Sequence, residues 1–506
     1  MTEVVSLIIP PSPFLLDERV FPFLGILKVA SALERRSVPV DVLDLSGFKN
    51  FAEIVRTYVQ GKDTQVFGIT ATTPQLPAAA KIADTIRQAR PDARIILGGP
   101  HATLTVAAHN YEVKKGIVGR AHRAFDRLLP YFNTLVAGDG EETIFLALAP
   151  DAPLVIDADG RKSPHKELFL TNEKLNESAF PARHLIDLKS YHYTIEGASA
   201  TSLIAQLGCP FVCGFCAGRL SPMLRHIRTR STASIIEEMS LIHRTYGHTG
   251  FMFYDDELNV SPSMVELMEA IKNLGDKFGV RWQLRGFIKA ELFTEQQAEA
   301  MYQAGFRQIL VGFESGSPRI LENIQKRATR EDNSRCVALA TQAGLKVKAL
   351  MSIGHPGESP ETVEETKEWL LKVRPSDFDV TVITPYPGSP YYDQAEEFDP
   401  ALHQWVYRCK SGDALYQQEI DYTKETDAYK GIPGHYVSHV WTDYLSAKEL
   451  VSLRDALEAD CRRELGIPFN PSTSARLFEH SMGQTALPPQ ILRSSHSELA
   501  HTTPFA

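Results

Sequence analysis

The chain has 506 residues, with 53 Lys and Arg against 62 Asp and Glu, for a net charge of −9; at roughly 150 residues per domain that length makes about three domains. Apolar residues account for 43% and charged residues for 23%, which excludes global disorder and fibrous repeats. The acidic balance gives no footprint for wrapping nucleic acid through charge, and no apolar stretch approaches the ~20 residues needed to cross a bilayer.

The first residues, MTEVVSLIIPPSPFLL, carry Glu3 and no Lys or Arg before the apolar run. They do not read as a secretory leader, and a cytoplasmic protein is expected. From 1 to 148, short apolar runs alternate with amphipathic ones. VVSLIIPP, VDVLDL, QVFGITATT and ARIILGGPH read as strands, and FLGILKVASALERRS, FAEIVRTYVQ and LPAAAKIADTIRQAR as helices between them. TLVAGDGEETIFLALA repeats strand, glycine turn and helix. Such alternation predicts a doubly wound, Rossmann-like α/β domain with a parallel sheet covered on both faces.

Residues 149–198, with Pro153, Pro164, Pro181 and polar runs such as NEKLNES, read as a linker. From 199 to 400 the rhythm returns in six candidate strands: SLIAQLG, GFMFYDD, VRWQLRG, QILVGFES, KVKALMSIG and DVTVITPYP. Six units are too few for a closed eight-stranded barrel and predict a partial (β/α)6 barrel of the TIM type. Residues 401–470 hold the helical pattern AKELVSLRDALEADCRREL and an irregular aromatic stretch, and are expected to be a helical cap. In that stretch Trp405, Tyr407, Tyr416, Tyr422 and Tyr429 suit an apolar or aromatic substrate pocket, but the favoured reading is that they pack the cap onto the barrel. Residues 471–506, rich in Ser, Thr, His and Pro, are expected to be disordered.

Three of the six cysteines fall within eight residues, in GCPFVCGFCAGR: Cys209, Cys213 and Cys216. This C-x3-C-x2-C follows a candidate strand, and Pro210 and Gly214 favour a loop that brings the thiols together. Zinc is one reading, although its sites usually add a second pair of ligands further on, and Cys336, Cys409 and Cys461 stand alone. An iron–sulfur cluster normally takes four thiolates; three would leave one iron open to bind a substrate or cofactor, which is the favoured reading.

With Phe215 just before the last cysteine, this motif resembles the signature of radical S-adenosylmethionine enzymes. The resemblance continues in FYDDELN, GFESGS, SIGHPGES and TPYPGSP. It implies a [4Fe–4S] cluster on Cys209, Cys213 and Cys216, with S-adenosylmethionine on the open iron cleaved to a 5′-deoxyadenosyl radical. It also implies cofactor contacts from Phe215, Asp255, Asp256, Arg285, Glu314 and Gly354. Of these, Glu314 suits the ribose hydroxyls and Arg285 a carboxylate.

The glycine turns GGPH (98–101) and GDGE (138–141) follow successive strands of the first domain, at the edge where doubly wound sheets bind ligands. Neither G-x-G-x-x-G nor G-x4-G-K-[ST] is present. Together with PPSPF, FPFLGILKVASALE and ITATTPQLP, these turns make the domain similar to the cobalamin-binding domain of class B radical S-adenosylmethionine proteins. That likeness implies corrin contacts from Thr72, Thr73, Gly98, Gly99, Pro100, His101, Gly138, Gly140 and Glu141. The D-x-H-x-x-G motif is absent and no histidine precedes His101, so no axial histidine is expected from the loop after the first strand. Asp139 stands where relatives often carry Glu.

The resemblance implies a cobalamin-dependent radical enzyme, foremost a C-methyltransferase that uses methylcobalamin on an unactivated carbon of a small-molecule intermediate. A non-methylating ring closure, ring contraction or rearrangement is the alternative within enzymes. A cobalamin-binding sensor or carrier with a structural cluster is the alternative outside them. An external electron donor of flavodoxin or ferredoxin type and a small-molecule substrate are the expected partners, with no nucleic acid.

Overall fold

The computed structural model describes residues 4–12, 18–426 and 436–468; Tyr429, part of the PPSPF motif and the expected tail lie outside them. Six strands form the first sheet: β1 (Val5–Ile9), β2 (Val40–Asp44), β3 (Val66–Thr70), β4 (Arg94–Gly98), β5 (Thr134–Gly138) and β6 (Val155–Ala158). All pairings are parallel, in the order β2-β1-β3-β4-β5-β6. In β1, Val5, Leu7 and Ile9 pack with the helix Leu24–Arg35, while Ile8 packs with helices on the opposite face. That two-sided burial is why the strand reads as an unbroken apolar run. Strand β6 comes from the segment read as a linker, so the sheet runs on past residue 148.

The second sheet opens with a hairpin of β7 (Thr194–Ile195) and β8 (Ala198–Leu203). After β8 the short strands β9 (Gln206–Leu207) and β10 (Arg228–Thr229) pair antiparallel around the cysteine segment. The sheet then continues with β11 (Gly250–Phe253), β12 (Gln283–Phe287), β13 (Phe306–Glu314), β14 (Lys346–Ile353) and β15 (Asp377–Val382). Strand β8 and β11–β15 lie side by side in chain order and all parallel, as a partial barrel of six strands. Period-two alternation divides each strand. In β13 and β14, for example, Ile309, Val311, Val347 and Ala349 face the helical layer, whereas Leu310 and Leu350 face inward.

The segment after β1 crosses into this barrel. Val20 and Phe21 pack inside it against Tyr193, Met252 and Leu310, and Arg19 is tied back to Asp44 at the end of β2 by a 2.8 Å ion pair. The cap is mixed rather than wholly helical. The expected helix is Ala447–Leu465. The aromatic stretch before it forms an antiparallel sheet of β16 (Glu396–Asp399), β17 (Gln404–Arg408), β18 (Ala414–Gln418) and β19 (Val440–Thr442). Its aromatics pack both domains together: Tyr407 belongs to the barrel core, and Tyr422 to the core of the first domain.

Buried ion pairs complete the junction. Arg183, from the connecting segment, meets Glu238 of the barrel helix Thr232–Tyr246 at 2.7 Å, and Arg230 bonds the other oxygen of the same carboxylate. Removing one partner of such a buried group leaves uncompensated charge and costs about 3–5 kcal/mol. Glu238→Ala is therefore expected to lower the urea midpoint strongly; an unchanged midpoint would show that the two guanidiniums find water or other partners.

Candidate functional site

The cysteine loop starts where β9 ends and returns through β10, Leu207 standing opposite Arg228. Its entry is fixed from the neighbouring strand β11. The Asp255 carboxylate accepts from the backbone N–H of Ala205 at 3.1 Å and also from that of Gln206, and Asp256 accepts from Gly208 N–H at 3.0 Å. Gly208 has φ +88°, and a Cβ there would stand 2.3 Å from the His226 carbonyl oxygen, so glycine is required. Within the loop, Cys209 N–H donates to Leu224 O at 2.9 Å, Cys216 N–H to Cys213 O at 3.3 Å, and Gly214 N–H to Ile324 O at 2.8 Å.

All six cysteines are free. Burial pushes the Cys209 thiol up to about 12, with Glu257 and Asp256 adding to the effect. Among the described residues no three His, Cys, Asp or Glu side chains close on one point as a single metal ion requires. A cubane cluster takes its thiolates at separate corners, so its ligands need not meet at a point. Three thiols on one braced loop are the donor set such a cluster needs.

Glu314 ends β13 in a left-handed conformation, φ +65°, just after a register shift in the ladder to β14. Non-glycine residues hold such angles where surrounding contacts enforce them. Here Lys326 Nζ lies 3.1 Å from Glu314 Oε1, and the Ser352 hydroxyl donates to Oε2 at 2.8 Å. A Cβ on Gly312 would stand 2.6 Å from Glu314 Oε1, so that glycine makes room for the carboxylate. Burial works against the charge of Lys326, yet Glu314, the Cys213 thiol and Glu257 together hold its pKa above the ordinary lysine value. Ser352 continues to His355 Nε2 at 2.8 Å, and the His355 ring lies 5.5 Å from Phe215. Gly354, φ +88°, donates its N–H to Glu358 at 3.1 Å. Arg285 points elsewhere: it donates to the Tyr193 hydroxyl inside the barrel and does not line the cavity between the two sheets.

That cavity, of about 850 Å³, lies between the carboxyl edges of the two sheets. From the first domain it is lined by Thr72, Gly98, Gly99, Pro100, Gly138, Gly140 and Glu141, and from the barrel by Ser202, Tyr254, Gly312, Glu314, Met351 and Thr381. Gly98 faces open space where a Cβ would go, whereas Gly99, φ +90°, packs on Thr70 and Ala71. Glu141 is held by Lys28 at 2.6 Å. Ser202, 1% exposed, has a hydroxyl without a hydrogen-bond partner among the described residues. Thr73 and His101 stand behind the lining. His101 Nδ1 lies 3.0 Å from the Thr73 hydroxyl and Nε2 3.2 Å from that of Thr105, so both ring nitrogens are engaged. Among the described residues, Trp405, Tyr407, Tyr416 and Tyr422 of the cap do not line the cavity.

Two family models match the chain: the B12 binding domain over residues 18–129, and the Radical SAM superfamily over residues 203–370. The chain is a radical S-adenosylmethionine protein with a cobalamin-binding domain. This two-domain radical S-adenosylmethionine protein is 27% identical to an uncharacterized methyltransferase of Pyrococcus horikoshii, across 77% of this chain and 83% of that one. It is 24% identical to an anaerobic magnesium-protoporphyrin IX monomethyl ester cyclase of Cereibacter sphaeroides, across 70% of this chain and 58% of the cyclase. Among solved structures it shares the fold of the radical S-adenosylmethionine methyltransferase TsrM from Kitasatospora setae, with TM-score 0.64 and 18% identity over 95% of this chain and 92% of that one. The cobalamin-dependent radical enzyme OxsB gives TM-score 0.55 and 17% identity over 73% and 52% of the two chains.

The radical S-adenosylmethionine signature made the cysteines legible, but not Lys326, Ser352 or His355, which shape the surroundings of Glu314. Lys326 reaches Glu314 through a loop with left-handed residues at Gln325 and Arg327, which no periodicity announces. Gly98→Leu is expected to leave folding intact and abolish corrin retention, read from the absorption spectrum of the purified protein. Retained corrin would move its seat away from this edge. Burial lowers the pKa of His101 to about 4, whereas in the unfolded chain it protonates near 6.5. Stability therefore falls as pH drops from about 6.5 towards 4. His101→Gln should flatten part of that fall in urea midpoints measured across the range; an unaltered slope would contradict a buried neutral histidine.

Proposed function

We propose that this chain is a cobalamin-dependent radical S-adenosylmethionine C-methyltransferase acting on an unactivated carbon of a small-molecule biosynthetic intermediate. One observation carries this reading: a single cavity is lined both by the glycine turns of the cobalamin-type domain and by the barrel edge beside the cysteine loop. When bound, the cluster, S-adenosylmethionine and cobalamin supply the hydrogen abstraction and methyl delivery that acid–base side chains cannot.

The chain's own residues hold, orient and enclose. Cys209, Cys213 and Cys216 are assigned to the cluster. Phe215, wedged towards His355, orients the loop from inside. Glu314 keeps lone pairs beyond those used by Lys326 and Ser352, and is assigned to the ribose hydroxyls of S-adenosylmethionine; Gly354 allows close backbone approach. Asp255 and Asp256 act through the backbone of the loop rather than as direct ligands. Arg285, turned to Tyr193, is assigned to the barrel interior. On the other side, Thr72, Gly98, Gly99, Pro100, Gly138, Gly140 and Glu141 are assigned to the corrin, with Thr73 and His101 supporting them. With both nitrogens engaged, His101 supplies no axial ligand.

A flavodoxin- or ferredoxin-type protein is the proposed electron donor, and a reducing cytoplasm suits six free cysteines. No helix among the described residues is long and apolar enough to cross a membrane. The likeness to a cyclase keeps ring closure as the second reading.

With methyl-labelled S-adenosylmethionine and a reductant, the protein is expected to pass label to its corrin and to release both S-adenosylhomocysteine and 5′-deoxyadenosine. Deoxyadenosine without label on the corrin would favour the non-methylating reading. Cys213→Ala should lose cluster iron and cleavage together, while Cys336→Ala, Cys409→Ala and Cys461→Ala keep both. Iron lost from one of the latter three would point to a fourth protein ligand and a structural cluster.

A further inference from the structure

Two carboxylates of the first domain are buried against the cysteine loop and have no part in the assignments above. Asp159 follows β6, is 5% exposed, and uses one oxygen, Oδ1, to accept both from the Ser221 hydroxyl and from Met223 N–H at 3.2 Å. Beside it, Gly160 lies so close to the loop that a Cβ would stand 2.6 Å from the Pro222 side chain. Leu224 comes next, and its carbonyl accepts from Cys209 N–H at 2.9 Å. A run of close contacts thus leads from the end of the first sheet to the first cysteine. The second carboxylate, Asp139, lies between Gly138 and Gly140 in the turn that lines the cavity. It pairs with Arg228, 1% exposed, which closes the loop opposite Leu207, and accepts from Leu170 N–H at 3.2 Å. Burying a carboxylate is costly unless its hydrogen bonds are made, and charged hydrogen bonds of this kind are strong and directional.

The cysteine loop belongs to the barrel by sequence, and β11 holds its entry. Its return, from Ser221 to Arg228, is held by the other domain. We propose that Asp159 and Asp139 are positioning residues: from the corrin-side sheet they set where the cysteine loop stands, and so fix the separation and orientation of cluster and cobalt. This rests on the cofactor assignments of the preceding section. Geometry held by supporting hydrogen bonds matters because a loose site loses its productive arrangement within fractions of an ångström.

The test uses the holoprotein, loaded with iron, sulfide and cobalamin, and reads the magnetic dipolar coupling between the reduced cluster and cob(II)alamin, both paramagnetic. Iron and corrin contents are measured beside it. Wild type is expected to show one defined coupling. Asp159→Ala is expected to keep iron and corrin but lose the defined coupling, and Asp159→Asn, which retains the Oδ1 acceptor, to restore it. Should Asp159→Ala fail to load, Ser221→Ala removes the hydroxyl's bonds to Asp159 and to Leu224 N–H but leaves the carboxylate and its bond from Met223 N–H in place; a lost coupling there supports the inference and a retained one overturns it. The joint replacement Asp139→Asn with Arg228→Met removes the second fixing point without leaving a lone buried charge, and should also blur the coupling. Loaded variants with the wild-type coupling would overturn the inference and leave the cofactor assignments standing. A wild type that retains no corrin would overturn the assignments, and this inference with them.

Discussion

Asp255 and Asp256 spend their carboxylates on backbone N–H groups at the start of the cysteine loop. Much of the site depends on that constraint. A stretch of Gly, Pro and Cys has no helix or ladder of its own to satisfy its backbone, and buried donors must find acceptors. Strand β11 supplies them, one step along the sheet from β8, so the loop leaves the barrel at a fixed height and angle. Burial, with the charge of Asp256 adding to it, raises Asp255 to about 7 even though the N–H groups of Gln206 and Ala205 pull the other way. Its carboxyl is kept because the backbone needs the acceptor, not because the interior favours the charge.

Beyond that brace, two sheets present their carboxyl edges to one another, and each brings what the other lacks. The first offers glycine turns with room for a large flat ligand. The barrel offers a strained glutamate, the ends of the cysteine loop at Leu207 and Leu224, and a lumen stoppered by Val20 and Phe21 from the first domain. Charges at the junction are paired rather than free: Arg183 and Arg230 on Glu238, Arg228 on Asp139, Arg120 near Glu419. Buried pairs of this sort add little net stability over a hydrophobic contact, but they permit only a narrow set of geometries. Such a junction suits an enzyme whose reacting carbon must be reached from two cofactors.

Most of the fold was legible in the sequence because period and punctuation agreed. QILVGFES and KVKALMSIG are short apolar runs of strand length, as strands covered on both faces are, and the glycine turns mark strand ends. Less was legible where segments are short or their neighbours distant. VIDA, flanked by prolines and polar residues, joined the first sheet as β6 although its surroundings suggest a linker. QWVYR and ALYQQ formed strands in a region whose strongest periodic signal was the helix that follows. The candidate site divides likewise. Cysteine spacing is a local signal and was readable, whereas Arg285 lies one inward layer below the edge, on the same side of its strand as Phe287. The partners of Glu314 and of Asp159 come from remote loops, and only the folded chain joins them.

The central claim is that one cavity between these edges serves a cluster on one side and a corrin on the other. Metal analysis of protein purified anaerobically with iron and cobalamin supplied tests it most directly. The account predicts iron for one [4Fe–4S] cluster together with cobalt for one corrin in each chain. Full iron with no cobalt would contradict it, leaving a radical enzyme whose first domain is a scaffold.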